Sequence, residues 1–125
     1  MGITEAVLFD KILNDIHKIG GIEASAVAGR DGVVLYSKIP EKNGNHAEIF
    51  AAMSATMLGA AETTSTELGR GIPDRVVVEA TEGKLIVTGA GSKALLITMT
   101  EPGASLGLIL VGVEKASEKI RKVLN

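Results

Sequence analysis

Cysteine is absent from this chain, and so is tryptophan. Without thiols there is no disulfide framework, no thiolate nucleophile and no cysteine-based zinc site. The same absence agrees with a reducing cytoplasm, which is the expected location. The aromatic residues are Phe9, Tyr36 and Phe50. Three rings offer no stacking platform for single-stranded nucleic acid, and little to grip a flat heterocyclic cofactor. The net charge is only −2 and no block of Lys or Arg stands out, so no nucleic-acid partner is expected. Long apolar runs are missing too. Ile49 to Ala61 and Gly103 to Val113 are the longest uncharged stretches, and both fall short of the ~20 residues of a membrane span. The chain begins at Met1 with no basic stretch leading into an apolar one, so neither a secretion signal nor membrane insertion is expected.

What is present is aliphatic. Of 125 residues, 46% are apolar, enough for one buried core built from Ile, Leu, Val, Ala and Met. The length suits a single domain over 1–125, and no repeat or linker divides it.

The periodicity changes along the chain. Thr4-Glu5 opens a helix in which Leu8, Ile12, Ile16 and Ile19 form a stripe, ended by Gly20-Gly21. Ala24 to Gly29 and Val33 to Ile39 are strand-like and flank Arg30-Asp31-Gly32. An Asp-Gly pair there predicts a tight hairpin with positive φ at both central positions. Pro40 to Gly44 is a polar loop. Asn45 is placed to cap a second helix, with Glu48 as its reciprocal partner. That helix runs to about Leu68, where Gly69-Arg70-Gly71 and Pro73 stop it. Arg75 to Thr81, Lys84 to Gly89 and Ala94 to Thr100 are strands. Ser105 is placed to cap a last helix from Leu106 to Leu124. The order αββαβββα predicts an α+β fold: a five-stranded, mostly antiparallel sheet with helices on both faces.

The second helix is the informative segment. Around its axis Ile49, Phe50, Met53, Met57 and Leu68 fall on one side, and Ala51, Ala52, Ala55, Thr56, Gly59 and Thr63 on the other. One side is bulky, the other is small, and hardly any charge lies between. A helix facing a sheet on one side and water on the other carries a charged outer face. This one does not, so something beyond its own sheet must cover it. Ala51, Ala55 and Gly59 are spaced for close helix approach, although the same residues also suit tight packing on a sheet. Val76-Val77-Val78 is apolar without alternation, as for a strand covered on both faces. At a sheet edge it would offer unpaired backbone groups to a symmetric copy. Ala51, Ala55, Gly59, Val76, Val77 and Val78 are therefore the expected dimer contacts.

Reactive chemistry finds little support. Gly89-Ala90-Gly91-Ser92-Lys93-Ala94 has the spacing of a dinucleotide fingerprint, but a strand-like segment follows it where a helix is required, so it reads as a hairpin turn. His17 and His46 are the two histidines, and both are expected at the surface. No serine sits in a nucleophile elbow, and the neighbours Glu79 and Glu82 read as solvated edge charges. No catalytic residue, metal site or cofactor is expected. Arg70, held between two glycines, is placed to meet an acidic surface.

These segments together resemble the roadblock family, named for the dynein light chains of that type. The residues carrying the likeness are the hairpin Gly21 to Gly32, the helix Ala47 to Leu68 with its Gly69-Arg70-Gly71 exit, and Ala104-Ser105-Leu106-Gly107-Leu108 at the entry to the last helix. The resemblance implies a homodimer whose sheets join through their third strands, with the two central helices side by side on one face. It further implies a small Ras-like GTPase as partner, since prokaryotic members often act with one. One such type stimulates hydrolysis by remodelling its GTPase rather than by inserting an arginine. Eukaryotic members are dynein or lysosomal-scaffold subunits. Glu62, Thr66 and Arg70 are then candidate partner contacts. Two other readings of the residues stay open: a small-ligand sensor module and a purely structural subunit.

Overall fold

The computed structural model describes residues 2–40 and 46–125. The elements are α1 (Ile3–His17), β1 (Ile22–Gly29), β2 (Val34–Lys38), α2 (Ala47–Glu67), β3 (Arg75–Ala80), β4 (Gly83–Ala90), β5 (Ala94–Thr100) and α3 (Leu106–Leu124). The order is the one read from periodicity. The five strands form one sheet, β2-β1-β5-β4-β3, with every neighbouring pair antiparallel.

The sheet has a helix layer on each face. Under α1 and α3 lies a cluster of large aliphatics with one ring: Phe9, Leu13, Ile16, Val27, Ile86, Leu96, Ile109, Val113 and Ile120. Under α2 the cluster is smaller, with Ala26, Ala28, Ala51, Leu58, Val87, Leu95 and Ile97. Strand alternation divides β1 between them, since Val27 points to one side and Ala26 and Ala28 to the other. Alanines on β1 let the axis of α2 come close to the sheet.

Local details differ from the sequence reading, each for a physical reason. In α1 the residues that bury are Phe9, Ile12, Leu13 and Ile16, while Leu8 and Ile19 stay 40% and 36% exposed. The stripe is rotated because Phe9 and Leu13 meet the sheet, and Leu8 and Ile19 lie at the flank. The first hairpin is not a two-residue turn. Only Gly32 has positive φ, at 84°. Its N–H donates to the Gly29 carbonyl at 2.9 Å, and the Gly29 N–H donates to the Val33 carbonyl at 2.9 Å. That is a three-residue loop closed by glycine, and Asp31 Oδ1 accepts from the Val33 N–H at 3.1 Å. The capping role read for Asn45 lies outside the described residues; His46 occupies the position before α2 without a side-chain cap bond. Ser105 precedes α3 as expected, also without one.

Gly32 ties the hairpin to α2. A Cβ built on it would stand 3.0 Å from the Ala52 Cα, and its backbone is left-handed. Gly32→Val is therefore expected to destabilise the fold by ~2–4 kcal/mol, from backbone strain plus overpacking. A urea titration followed by circular dichroism measures it; an unchanged midpoint would contradict the close packing of hairpin on helix.

Candidate interaction surface

At its exit α2 is closed by backbone hydrogen bonds. The Arg70 N–H donates to Ser65 O at 2.8 Å and the Gly69 N–H to Thr66 O at 3.0 Å, with Gly69 at φ 69°. This glycine-terminated cap turns the chain sharply and leaves the Arg70 side chain exposed. Leu68 and Ile72 beside it are 69% and 78% exposed.

The inward side of α2 consists of Ala51, Ser54 and Leu58, all buried, with Phe50, Ala55 and Met57 packed around them. The outward side carries Ile49, Met53, Thr56, Ala60, Thr63 and Thr64. Ile49 and Met53 are 64% and 56% exposed. Thr56 and Thr64 donate their hydroxyls to the carbonyls of Ala52 and Ala60, at 2.9 and 2.8 Å. Those hydroxyls are satisfied within the helix, so the outward side is drier than its composition suggests. Between Glu48 and Glu67 the only charged residue is Glu62, and it points inward.

The expected dimer contacts thus fall in different places. Ala51 is fully buried against its own sheet and has no surface to offer a second helix. Ala55 packs on the same cluster. The alanine-lined sheet accepts small side chains and Leu58, whereas Ile49 and Met53 find no slot there. Gly59 is exposed, and a Cβ on it would meet nothing within 4 Å. Gly59→Leu should therefore leave the isolated subunit intact, or gain up to ~1 kcal/mol of helix stability. Weaker self-association in that variant, read by sedimentation, would then report a contact outside the subunit; unchanged association would remove Gly59 from any interface.

Among the described residues β3 is the last strand of the sheet, paired only with β4. Val76, Val77 and Val78 are each half-buried. Val76 packs toward α2 and Val77 toward the opposite layer. α2 covers one face of β3, and among the described residues its outer edge is unpaired.

Glu62, a candidate partner contact, is engaged inside the subunit. Arg30 Nη1 donates to both of its carboxylate oxygens, at 2.8 and 3.0 Å. Arg30 Nη2 donates to Gly91 O at 2.8 Å and Nε to Ala94 O at 3.1 Å. One guanidinium so joins the first hairpin, α2 and the β4–β5 turn. Sequence reading missed this clamp, because no local pattern links residues 32 and 61 positions apart. Thr66 and Arg70 are both exposed on the same end of α2.

The remaining polar groups lie on the opposite layer. The segment Gly91-Ser92-Lys93 is the β4–β5 turn, and β5 follows it. His17 is half-buried rather than at the surface, because it closes over β1 and its Nε2 lies 2.8 Å from Ser25 Oγ. Ser25 is fully buried beneath it. Asp10 faces elsewhere: it accepts from the Tyr36 hydroxyl at 2.6 Å and from Asn14 Nδ2 at 3.0 Å, with Lys38 Nζ at 3.4 Å. The Tyr36 hydrogen bond, aided by Lys38, holds the Asp10 carboxyl below its ordinary range and raises the Tyr36 phenol. Among the described residues no three His, Asp or Glu side chains are placed to hold a metal ion. No helix among them is long and apolar enough to cross a membrane.

Burial, with a smaller contribution from Lys38, lowers the His17 pKa below its ordinary 6.5. The unfolded chain then takes up this proton at higher pH than the folded one. Stability is full above 6.5 and falls as pH drops toward the folded pKa. His17→Gln is expected to flatten that slope below pH 6.5, in a series of urea midpoints. An equal slope in both proteins would remove His17 as its source.

The comparisons with known proteins agree with this architecture. The gliding protein MglB of Thermus thermophilus superposes with a TM-score of 0.87 at 22% identity, covering 98% of this chain and 92% of that one. MglB of Myxococcus xanthus gives 0.81 at 19% identity, covering 98% and 95%. Among sequences, MJ1340 of Methanocaldococcus jannaschii is 35% identical over 114 residues, 91% of this chain and 97% of that protein. The family model for the Roadblock/LC7 domain matches residues 8–100, most of the folded chain. With the αββαβββα order and the five-stranded antiparallel sheet, this protein belongs to the Roadblock/LC7 family.

Proposed function

We propose that the protein is a non-catalytic, cytoplasmic homodimer whose paired α2 helices form a platform that binds a small Ras-like GTPase and regulates or scaffolds it. The observation that carries this reading is the outward side of α2. It is uncharged from Ile49 to Ala61 and leaves Ile49 and Met53 more than half exposed. A second copy joined through β3 continues the sheet and brings the two α2 helices side by side, which covers that apolar side. Family membership supports the same arrangement.

The platform would act by position. A dimer holding the switch segments of a GTPase changes hydrolysis without donating a reactive group, and Thr66 and Arg70 are the exposed contacts at its end. The small-ligand reading gains nothing from the groove around the β3 edge, which is open and lined by charged side chains such as Arg30, Glu62, Arg75 and Arg121.

The test uses a small Ras-like GTPase from the same genome, loaded with GTP or GDP. Binding by calorimetry and a changed single-turnover hydrolysis rate are expected. Arg70→Ala should weaken binding several-fold while the rate at saturation stays the same, because a positional contact adds affinity rather than chemistry. A partner whose affinity and hydrolysis are both indifferent to this protein would overturn the reading.

A further inference from the structure

β3 reads Arg75-Val76-Val77-Val78-Glu79-Ala80, with a cation at one end, an anion near the other and valines between. Strand alternation puts Arg75, Val77 and Glu79 on the α3 side and Val76 and Val78 on the α2 side, as the packing of Val76 and Val77 requires. Arg75 is half-buried, yet its Nε is buried without a hydrogen-bond partner. Thr88, directly across from it on β4, is 3% exposed and its Oγ1 also lacks a partner. Among the described residues neither Arg75 nor Glu79 belongs to an ion pair. One guanidinium nitrogen of the edge strand and the β4 hydroxyl across from it thus lack partners, while a carboxylate sits four residues along the same strand.

We propose that a second copy of the chain docks on β3 in a single register, Val77 against the partner's Val77, so that each Arg75 faces the partner's Glu79. This rests on the dimer reading above and adds what selects the partner. Directly opposed residues of an antiparallel pair point to the same face. A two-fold axis that keeps both α2 helices on one side therefore allows only registers centred on a single residue. Centring on Val76 sets Arg75 against the partner's Val77 and Asp74 against the partner's Val78. Centring on Val78 sets Glu79 against the partner's Val77. Both place charges on half-buried valines. Centring on Val77 matches valine with valine throughout and closes two Arg–Glu pairs. On the α3 side it lines up the partner's Glu79, Arg75 and Thr88 in one row across three strands.

Charge reversal tests the register. Arg75→Glu alone sets glutamate against glutamate twice, and Glu79→Arg alone sets arginine against arginine twice. Each variant is expected to self-associate at least ~10-fold more weakly than the natural chain. Mixed together, the two should form a heterodimer as tight as the natural homodimer to within about threefold, since one Arg–Glu pairing is replaced by its mirror and both contacts are again opposite in sign. Native mass spectrometry reads the mixture. The lack of cysteine supplies a second measurement that charge does not affect. Under diamide, Val77→Cys should cross-link to its own copy, because opposed Cα atoms lie ~4.5–5.5 Å apart. Val76→Cys and Val78→Cys should not, because their copies are diagonal at ~7–8 Å. A dimeric natural chain with no heterodimer preference, or with cross-linking strongest at 76 or 78, overturns the register and leaves the dimer standing. A natural chain that sediments as a monomer overturns the dimer itself.

Discussion

Ile49→Glu combined with Met53→Glu should convert the protein into a folded monomer. Both side chains are more than half exposed in the single subunit, at 64% and 56%, so a carboxylate there stays hydrated and costs the subunit little. Between two α2 helices the same change removes two large apolar contacts per copy and sets four carboxylates against one another. Loss of the apolar burial alone is worth ~1.5–3 kcal/mol per side chain, before repulsion. Self-association should therefore weaken by at least ~100-fold. Sedimentation velocity measures it, with circular dichroism to establish that the fold persists. Ala51→Glu is the contrasting control. Two residues from Met53, it is fully buried against the sheet, so a charge there should unfold the subunit rather than merely separate two of them. Dimers that survive the double substitution would show that the outward side of α2 is not the contact.

Arg30→Ala is expected to be among the most damaging single changes outside the aliphatic core. The guanidinium makes four hydrogen bonds, two to the Glu62 carboxylate and one each to the carbonyls of Gly91 and Ala94. Arg30 and Glu62 are 29% and 27% exposed, so water reaches the pair only in part. Removing the cation leaves a half-buried carboxylate and two carbonyls without their donor. The expected cost is ~2–4 kcal/mol, less than for a fully buried pair because solvent offsets some of it. For a chain of this size the melting temperature should fall by about 10 °C. Glu62→Gln should cost less, since a neutral amide oxygen still accepts from Nη1. Equal and small effects of the two variants would show that the clamp contributes little. The experiment also bears on the platform, because Glu62 can meet a partner only by sharing or surrendering Arg30.

Much of the architecture was legible from neighbouring residues alone. Ala94 to Thr100 and Leu106 to Leu124 are bounded as the pattern predicts, because Gly91-Ser92-Lys93 and Glu101-Pro102-Gly103 interrupt any regular element around them. The same holds for the exit of α2, where Gly69 supplies the left-handed backbone that ends the helix. The first hairpin was legible as a hairpin but not as a turn type. An Asp-Gly pair suits several loops, and the distinction rests on whether Asp31 itself adopts positive φ, which it does not.

The outward side of α2 was legible only in part. Its lack of charge predicts a second covering on composition alone. Which side turns inward does not follow from that, because a helix apolar all round has no strong preference to read. The alanines of β1 make the choice by setting how near the axis can approach, and they belong to a different element. His17 shows the same limit: a histidine on an amphipathic helix reads as surface until β1 brings Ser25 beneath it.

Composition and periodicity determined by themselves the type, order and approximate bounds of the eight elements and the excess of apolar surface on one helix. These depend on residues a few positions apart, whose influence is set by backbone sterics and side-chain period. Tertiary structure decided which side of α2 is free, that β3 ends the sheet, and that Arg30 joins three segments distant in the chain. Those outcomes depend on which surfaces meet, and a meeting between remote segments leaves no periodic trace in either one.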